Sequence, residues 1–180
     1  GKSSQVTTTG AQLFDATTEE VIIDNPNVVY EVDGDKITYS APQSYLVVRL
    51  RVDHRNLIAG KTYVLECDEF SNGLTCQLLG NDVANGMSLI DVRLMGTTKR
   101  VEFVINEEID MSIFDTFNGG IAYLAMSIFF SENTYNNAEF IVKGLRLYSI
   151  DKPMMTWEPY SGGIPAPNPS YPQEIESVDK

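Results

Sequence analysis

Tyr45-Leu46-Val47-Val48-Arg49-Leu50-Arg51-Val52-Asp53 is the stretch whose reading decides the fold. Leu46, Val48, Leu50 and Val52 occupy one phase of a two-residue repeat; Tyr45, Val47, Arg49, Arg51 and Asp53 occupy the other. Side chains along a strand point alternately to opposite faces, so one face of this segment belongs in a core and the other in water.

The same pattern continues on both sides. Upstream, Val21-Ile22-Ile23 is a short apolar strand, Asn25-Pro26-Asn27 a turn, and Val28 to Val32 and Lys36 to Ser40 a hairpin around Asp33-Gly34-Asp35. Downstream, Lys61 to Asp68 is a strand with Tyr63, Leu65 and Cys67 inward, and Leu74 to Leu79, Met87 to Met95 and Arg100 to Asn106 follow. Met111 to Phe117 reads equally as strand or helical turn. Ile121 to Ser131, the most apolar run, is a central strand, and Glu139 to Ile150 a long closing strand with a bulge at Gly144. No segment sustains helical periodicity. The pattern is all-β: an antiparallel two-sheet β-sandwich of about ten strands, in jelly-roll arrangement. The sandwich occupies 13–152, a loose polar arm 1–12, and an extended Pro-rich strap 153–180.

The chain has 180 residues and a formal net charge of −12. That acidity favours solubility and excludes the basic footprint of a nucleic-acid binder or of docking on anionic lipid. No apolar run approaches the ~20 residues of a membrane-spanning helix. Gly1-Lys2-Ser3-Ser4-Gln5 carries no apolar leader and reads as a cut from a larger protein, which leaves secretion by a removed leader open.

Catalytic constellations are poorly supplied. His54 is the only histidine and reads as a solvated turn residue; there is no Gly-x-Ser-x-Gly elbow. The carboxylate pairs Glu19-Glu20, Glu107-Glu108 and Asp33/Asp35 sit in loops, where acids are solvated surface. The reading is a non-enzyme. Cys67 and Cys76 fall in neighbouring predicted strands, either bridged or as buried free thiols, the latter favoured by the burial habit of free cysteine.

The C-terminal run Trp157-Glu158-Pro159-Tyr160-Ser161-Gly162-Gly163, then Pro165-Ala166-Pro167-Asn168-Pro169-Ser170-Tyr171-Pro172-Gln173-Glu174-Ile175, is too rich in proline for helix or central strand. It resembles a segment of tail and baseplate-associated minor structural proteins of phages and prophages of Gram-positive bacteria. The resemblance implies a virion tail module in which this segment follows a β-sandwich like a carbohydrate-binding module. Host-surface glycans or cell-wall polymers and other tail proteins are then its partners, and a homo-oligomer is in keeping with tails. A secreted or cell-surface adhesin and a purely architectural spacer are the alternatives. Trp157, Tyr160 and Tyr171 are anchors by which the strap docks on its own sandwich or on a neighbouring module.

Sugar recognition needs rings stacked on C–H faces and planar polar groups on hydroxyls. The candidates are Tyr45, Arg49, Arg51, Gln77, Arg93 and Tyr123 on the wet face and Tyr135 in a loop. Against binding stands a solvated face whose arginines pair with Glu66, Asp68 or Glu102. Sugar-binding jelly rolls often hold a structural calcium, and Asp15, Glu20 and Asp151 occupy the corresponding positions. The ligand set is incomplete, which weighs against that ion; no other cofactor is expected.

Overall fold

The computed structural model describes residues 10–18, 21–23, 25–115, 121–131 and 139–162. Among the described residues twelve strands follow one another: β1 Val21–Ile23, β2 Val29–Asp33, β3 Lys36–Ser40, β4 Val48–Arg51, β5 Thr62–Glu66, β6 Glu69–Phe70, β7 Leu74–Asp82, β8 Met87–Leu94, β9 Arg100–Val104, β10 Ala122–Phe130, β11 Phe140–Lys143 and β12 Arg146–Ser149. Helical backbone among the described residues is limited to two 3-10 turns, His54–Asn56 and Met111–Asp115.

All pairings are antiparallel. One layer is the five-stranded sheet β1-β4-β10-β7-β8. The other consists of β2-β3-β11-β6 and β12-β5-β9, joined end to end because β5 runs into β6 and β11 into β12. Register is kept across that joint. Lys143 faces Glu69 and Arg146 faces Glu66, with Gly144 and Leu145 between on one strand and Cys67 and Asp68 on the other. The expected bulge at Gly144 is therefore a break without an inserted residue. Gly144 has φ +69°, and a Cβ there would lie 2.2 Å from Asp68 Oδ2.

The chain passes between layers after nearly every strand or hairpin, as a jelly roll does. Val48, Leu50, Leu78, Leu124, Met126 and Ile128 of the first layer meet Ile37, Tyr39, Leu65, Val142 and Leu147 of the second in one core. Tyr39, Phe130 and Phe140 stack through it, with ring centroids 4.8 and 3.9 Å apart. Phe114, on the second 3-10 turn, plugs one end under Gly80, where a Cβ would meet its ring at 3.1 Å.

Several expectations need correction. Tyr45 and Val47 lie outside β4, and Tyr45 adopts φ +62° in the preceding turn, so the strand is shorter than its alternation suggests. Glu69–Phe70, expected in a loop, forms β6. Cys67 and Cys76 are not strand neighbours. Cys67 follows β5 in one layer and Cys76 lies in β7 of the other, and both are buried free thiols.

The segment before β1 and the one after β12 close the back of the second layer. Leu13 N donates to Leu147 O at 2.8 Å, and Gln12, only 2% exposed, receives Leu147 N and donates to the carbonyls of Leu145 and Glu158. Of the arm assigned to 1–12, the described residues Gly10, Ala11 and Gln12 are thus held in place. Of the strap, Pro153 to Gly162 is described and lies against the same surface.

Candidate functional site

The outer face of the five-stranded sheet gathers most of the candidate ligand residues. Strand register places Ile22, Arg49, Ser127, Gln77 and Arg93 in one row across β1, β4, β10, β7 and β8. The next row holds Arg51, Ala125, Leu79 and Asp91, and the one beyond it Tyr123 and Asn81. The small residues Ala125 and Ser127 fall on the central strand between long side chains of β4 and β7, so the middle of the face is a floor with almost no exposed surface. Ser127 is 1% exposed and Gln77 6%.

Each long side chain is held. Arg49 sits over the Tyr123 ring, 5.9 Å from its centroid. Arg51 donates to the carbonyl of Asp115 at 3.3 Å. Gln77 Nε2 donates to Asp91 Oδ1 at 2.8 Å, and Arg93 Nε to the same oxygen at 3.0 Å. Arg93, with a smaller contribution from Gln77, holds the Asp91 carboxyl below the usual carboxylate range; partial burial opposes this. The acidic partner of Arg93 is thus Asp91, its own strand neighbour but one. Glu66, Asp68 and Glu102, the partners expected from the sequence, serve Arg146 and Arg100 instead.

Two polar atoms on this face lack a hydrogen-bond partner among the described residues: Ser127 Oγ and Asn81 Oδ1. Asn81 Nδ2 donates to Tyr123 Oη at 2.9 Å, which leaves the tyrosine proton available to donate. The face therefore offers the Tyr123 donor beside an arginine-backed ring, while the Ser127 hydroxyl and Asn81 Oδ1 are sealed beneath the surface. Ser127 and Asn81 were absent from the sequence-based candidates. Alternation within Ile121 to Ser131 carried the signal, since it sets Tyr123, Ala125 and Ser127 on one side, with Ser127 the polar exception in an apolar run.

Tyr45 reaches the end of the face from its turn. Its hydroxyl donates to Ser131 O at 2.9 Å, beside the Thr75–Ser131 side-chain hydrogen bond. Tyr135, Tyr171 and Glu20 lie outside the described residues. No three acidic, histidine or cysteine side chains gather to hold a cation among the described residues. Asp15 instead receives Thr17 N and Oγ1 on Oδ1, and Asp151 N donates to Ser149 Oγ.

The catalytic candidates are tied down. His54 is not a solvated turn residue: its side chain is 17% exposed and Nε2 meets Asp115 Oδ1 at 2.8 Å. Burial pushes the Cys67 thiol up to about 12 and the Cys76 thiol higher still, so neither supplies thiolate near neutrality.

No protein-family model matches the chain, and no curated protein matches its sequence. Among solved structures the chain is similar to a low-affinity xylan-binding module, CBM86, from Roseburia intestinalis. Identity there is 15% over 80% of this chain and 92% of that one, with a TM-score of 0.41. It is similar also to a variant of a family 29 carbohydrate-binding module, at 12% identity over 80% and 91% and a TM-score of 0.41. A glycosylation-associated protein complex from Streptococcus agalactiae is similar at 12% identity over 79% of this chain and 45% of that one, with a TM-score of 0.46. At such values none of these likenesses assigns this chain to a family.

Proposed function

We propose that this protein is a non-enzymatic glycan-binding module. Its ligand, a host-surface glycan or cell-wall polymer, lies across the outer face of the five-stranded sheet. The observation that carries the reading is the half-buried Tyr123 on that face, with Arg49 over its ring and its hydroxyl proton left to donate. A sugar hydroxyl can accept that proton. The Tyr123 ring offers a face for sugar C–H groups, and Arg49 fixes that ring from one side.

The setting we propose is the tail of a phage or prophage of a Gram-positive bacterium, with other tail proteins as neighbours. It is supported by the resemblance of the segment from Trp157 to Ile175. Weak single-site affinity would be raised there by repetition on the tail, since linked sites gain avidity without new contacts. A purely architectural spacer is the second reading, favoured by the strap segment being docked on its own sandwich.

The test is calorimetric titration of the protein with purified, fragmented Gram-positive cell wall and with neutral glycans, repeated on Tyr123→Phe and Arg49→Ala. We expect binding that weakens by about three- to tenfold for Tyr123→Phe, the effect of one neutral hydrogen bond. No heat with any glycan, or binding indifferent to both substitutions, would favour the architectural spacer.

A further inference from the structure

A second pair of concavities lies away from the sheet face, where the strap meets the start of the sandwich. One cleft, of about 260 Å³, includes Asp15, Arg51, Asp53, Arg55, Asn56 and Tyr160 in its lining. The other, of about 220 Å³, includes Gln12, Phe14, Asp15, Trp157, Pro159 and Tyr160. They adjoin through Asp15 and Tyr160. We propose that these two clefts form a separate binding site for a neutral saccharide of about one or two pyranose rings, completed by Trp157 and Tyr160 of the strap.

Hydrogen-bond capacity left over after folding points to that ligand. Asn56 Nδ2 donates to Leu13 O at 3.1 Å and to Tyr160 Oη at 3.3 Å. Its own Oδ1 remains to accept, and the Tyr160 proton remains to donate. Asp15 uses Oδ1 for Thr17, which leaves Oδ2 to accept. The Trp157 indole N–H has no hydrogen-bond partner among the described residues. Two donors, two acceptors and two aromatic rings, divided between the adjoining clefts, match a ring that carries hydroxyls on its rim and C–H groups on its faces.

Charge argues for a neutral sugar. The larger cleft sets the carboxylates of Asp15 and Asp53 against the guanidinium groups of Arg51 and Arg55, and Arg55 already closes on Asp53 at 2.6 Å. With the two signs balanced, neither an anion nor a cation is drawn in. The site does not rest on the sheet-face reading: Arg51 alone is common to both places.

Trp157 is the only tryptophan in the chain, so its emission reports occupancy of the cleft directly. The full chain is titrated with methyl β-glucopyranoside, N-acetylglucosamine and cellotetraose, in wild type, Arg49→Ala, Tyr160→Phe and Asp15→Asn. Asp15→Asn keeps an oxygen for Thr17 and turns the remaining acceptor into a donor; Tyr160→Phe keeps the ring and removes the proton. We expect a saturable change in emission in the millimolar range, unaltered by Arg49→Ala and weakened about three- to tenfold by each of the other two. No change with any of the three sugars, loss of the signal in Arg49→Ala, or wild-type affinity in both Asp15→Asn and Tyr160→Phe would overturn the proposal. Failure of the sheet-face reading appears separately, as cell-wall binding that ignores Arg49→Ala and Tyr123→Phe.

Discussion

Ser127 shows how one side chain can work against stability in a packed sheet. It lies on the central strand, and its hydroxyl meets no described partner. Removing a buried orphan relieves its desolvation cost, and the lost oxygen leaves little space on a strand flanked by Arg49 and Gln77. Ser127→Ala is therefore expected to raise stability by about 1 kcal/mol in urea titration with an unchanged m-value. A loss of stability would mean that the hydroxyl is satisfied in the folded protein. Arg146 is the opposite case, a cation only 3% exposed but fully engaged. It donates to Met154 O, Gly144 O and Asp68, and faces Glu66 at 3.3 Å. No sequence pattern distinguishes it from the solvated arginines, because its burial comes from a segment that folds over it later in the chain.

At the level of elements, that covering segment is held chiefly by Met154. This side chain is 1% exposed and packs with Ala11, Val64 and Tyr148 in a cluster separate from the main core, while its neighbour Met155 is 83% exposed. Truncating a buried methionine costs about 2–5 kcal/mol, and here the loss falls on strap docking. Met154→Ala should speed chymotryptic cleavage after Tyr160 with the sandwich left intact, whereas Met155→Ala should cut at the wild-type rate; equal rates for both would show that the strap is held elsewhere. Elements with strong local signals were legible in the sequence. The alternation of Val48, Arg49, Leu50 and Arg51 was reproduced side chain by side chain, and the Asp-Gly hairpin formed with Asp33 opposite Lys36. The run from Ile121 became β10, central between β4 and β7. What failed depended on distant contacts. Tyr45 turns left-handed where Tyr45 N bonds Phe130 O; Glu69–Phe70 is a strand only because β11 lies beside it. The acid beside Arg93 was a local one, Asp91 two residues back on the same strand face, which alternation alone could have found. The floor of the sheet face needed strand register, since a row of five residues from five strands has no image in linear order.

Across the whole molecule, titration of the core gives a stability signature. Burial raises the thiols of Cys67 and Cys76 and, with help from Asp15, the Tyr30 phenol. Folded-state values above the unfolded ones mean that the folded chain keeps protons which the unfolded chain gives up. Stability is thus fully present below the ordinary thiol value of about 8.5 and falls as pH rises through the range beyond it. Each thiol contributes a slope of up to ~1.4 kcal/mol per pH unit. Urea titrations between pH 8 and pH 10.5, or roughly that span, should show the decline, shallower by about one such increment in Cys76→Ala. Identical slopes for the two proteins would place the Cys76 thiolate in water.

Gly10 N reaches Ser161 Oγ at 3.2 Å, so residues 151 positions apart in the chain are held side by side. A body whose inlet and outlet share a single doorway can be spliced into a surface loop of another protein without prising the host apart. It would then stand out as a side branch, and lengthening or deleting it would leave the spacing along the host's main axis unchanged.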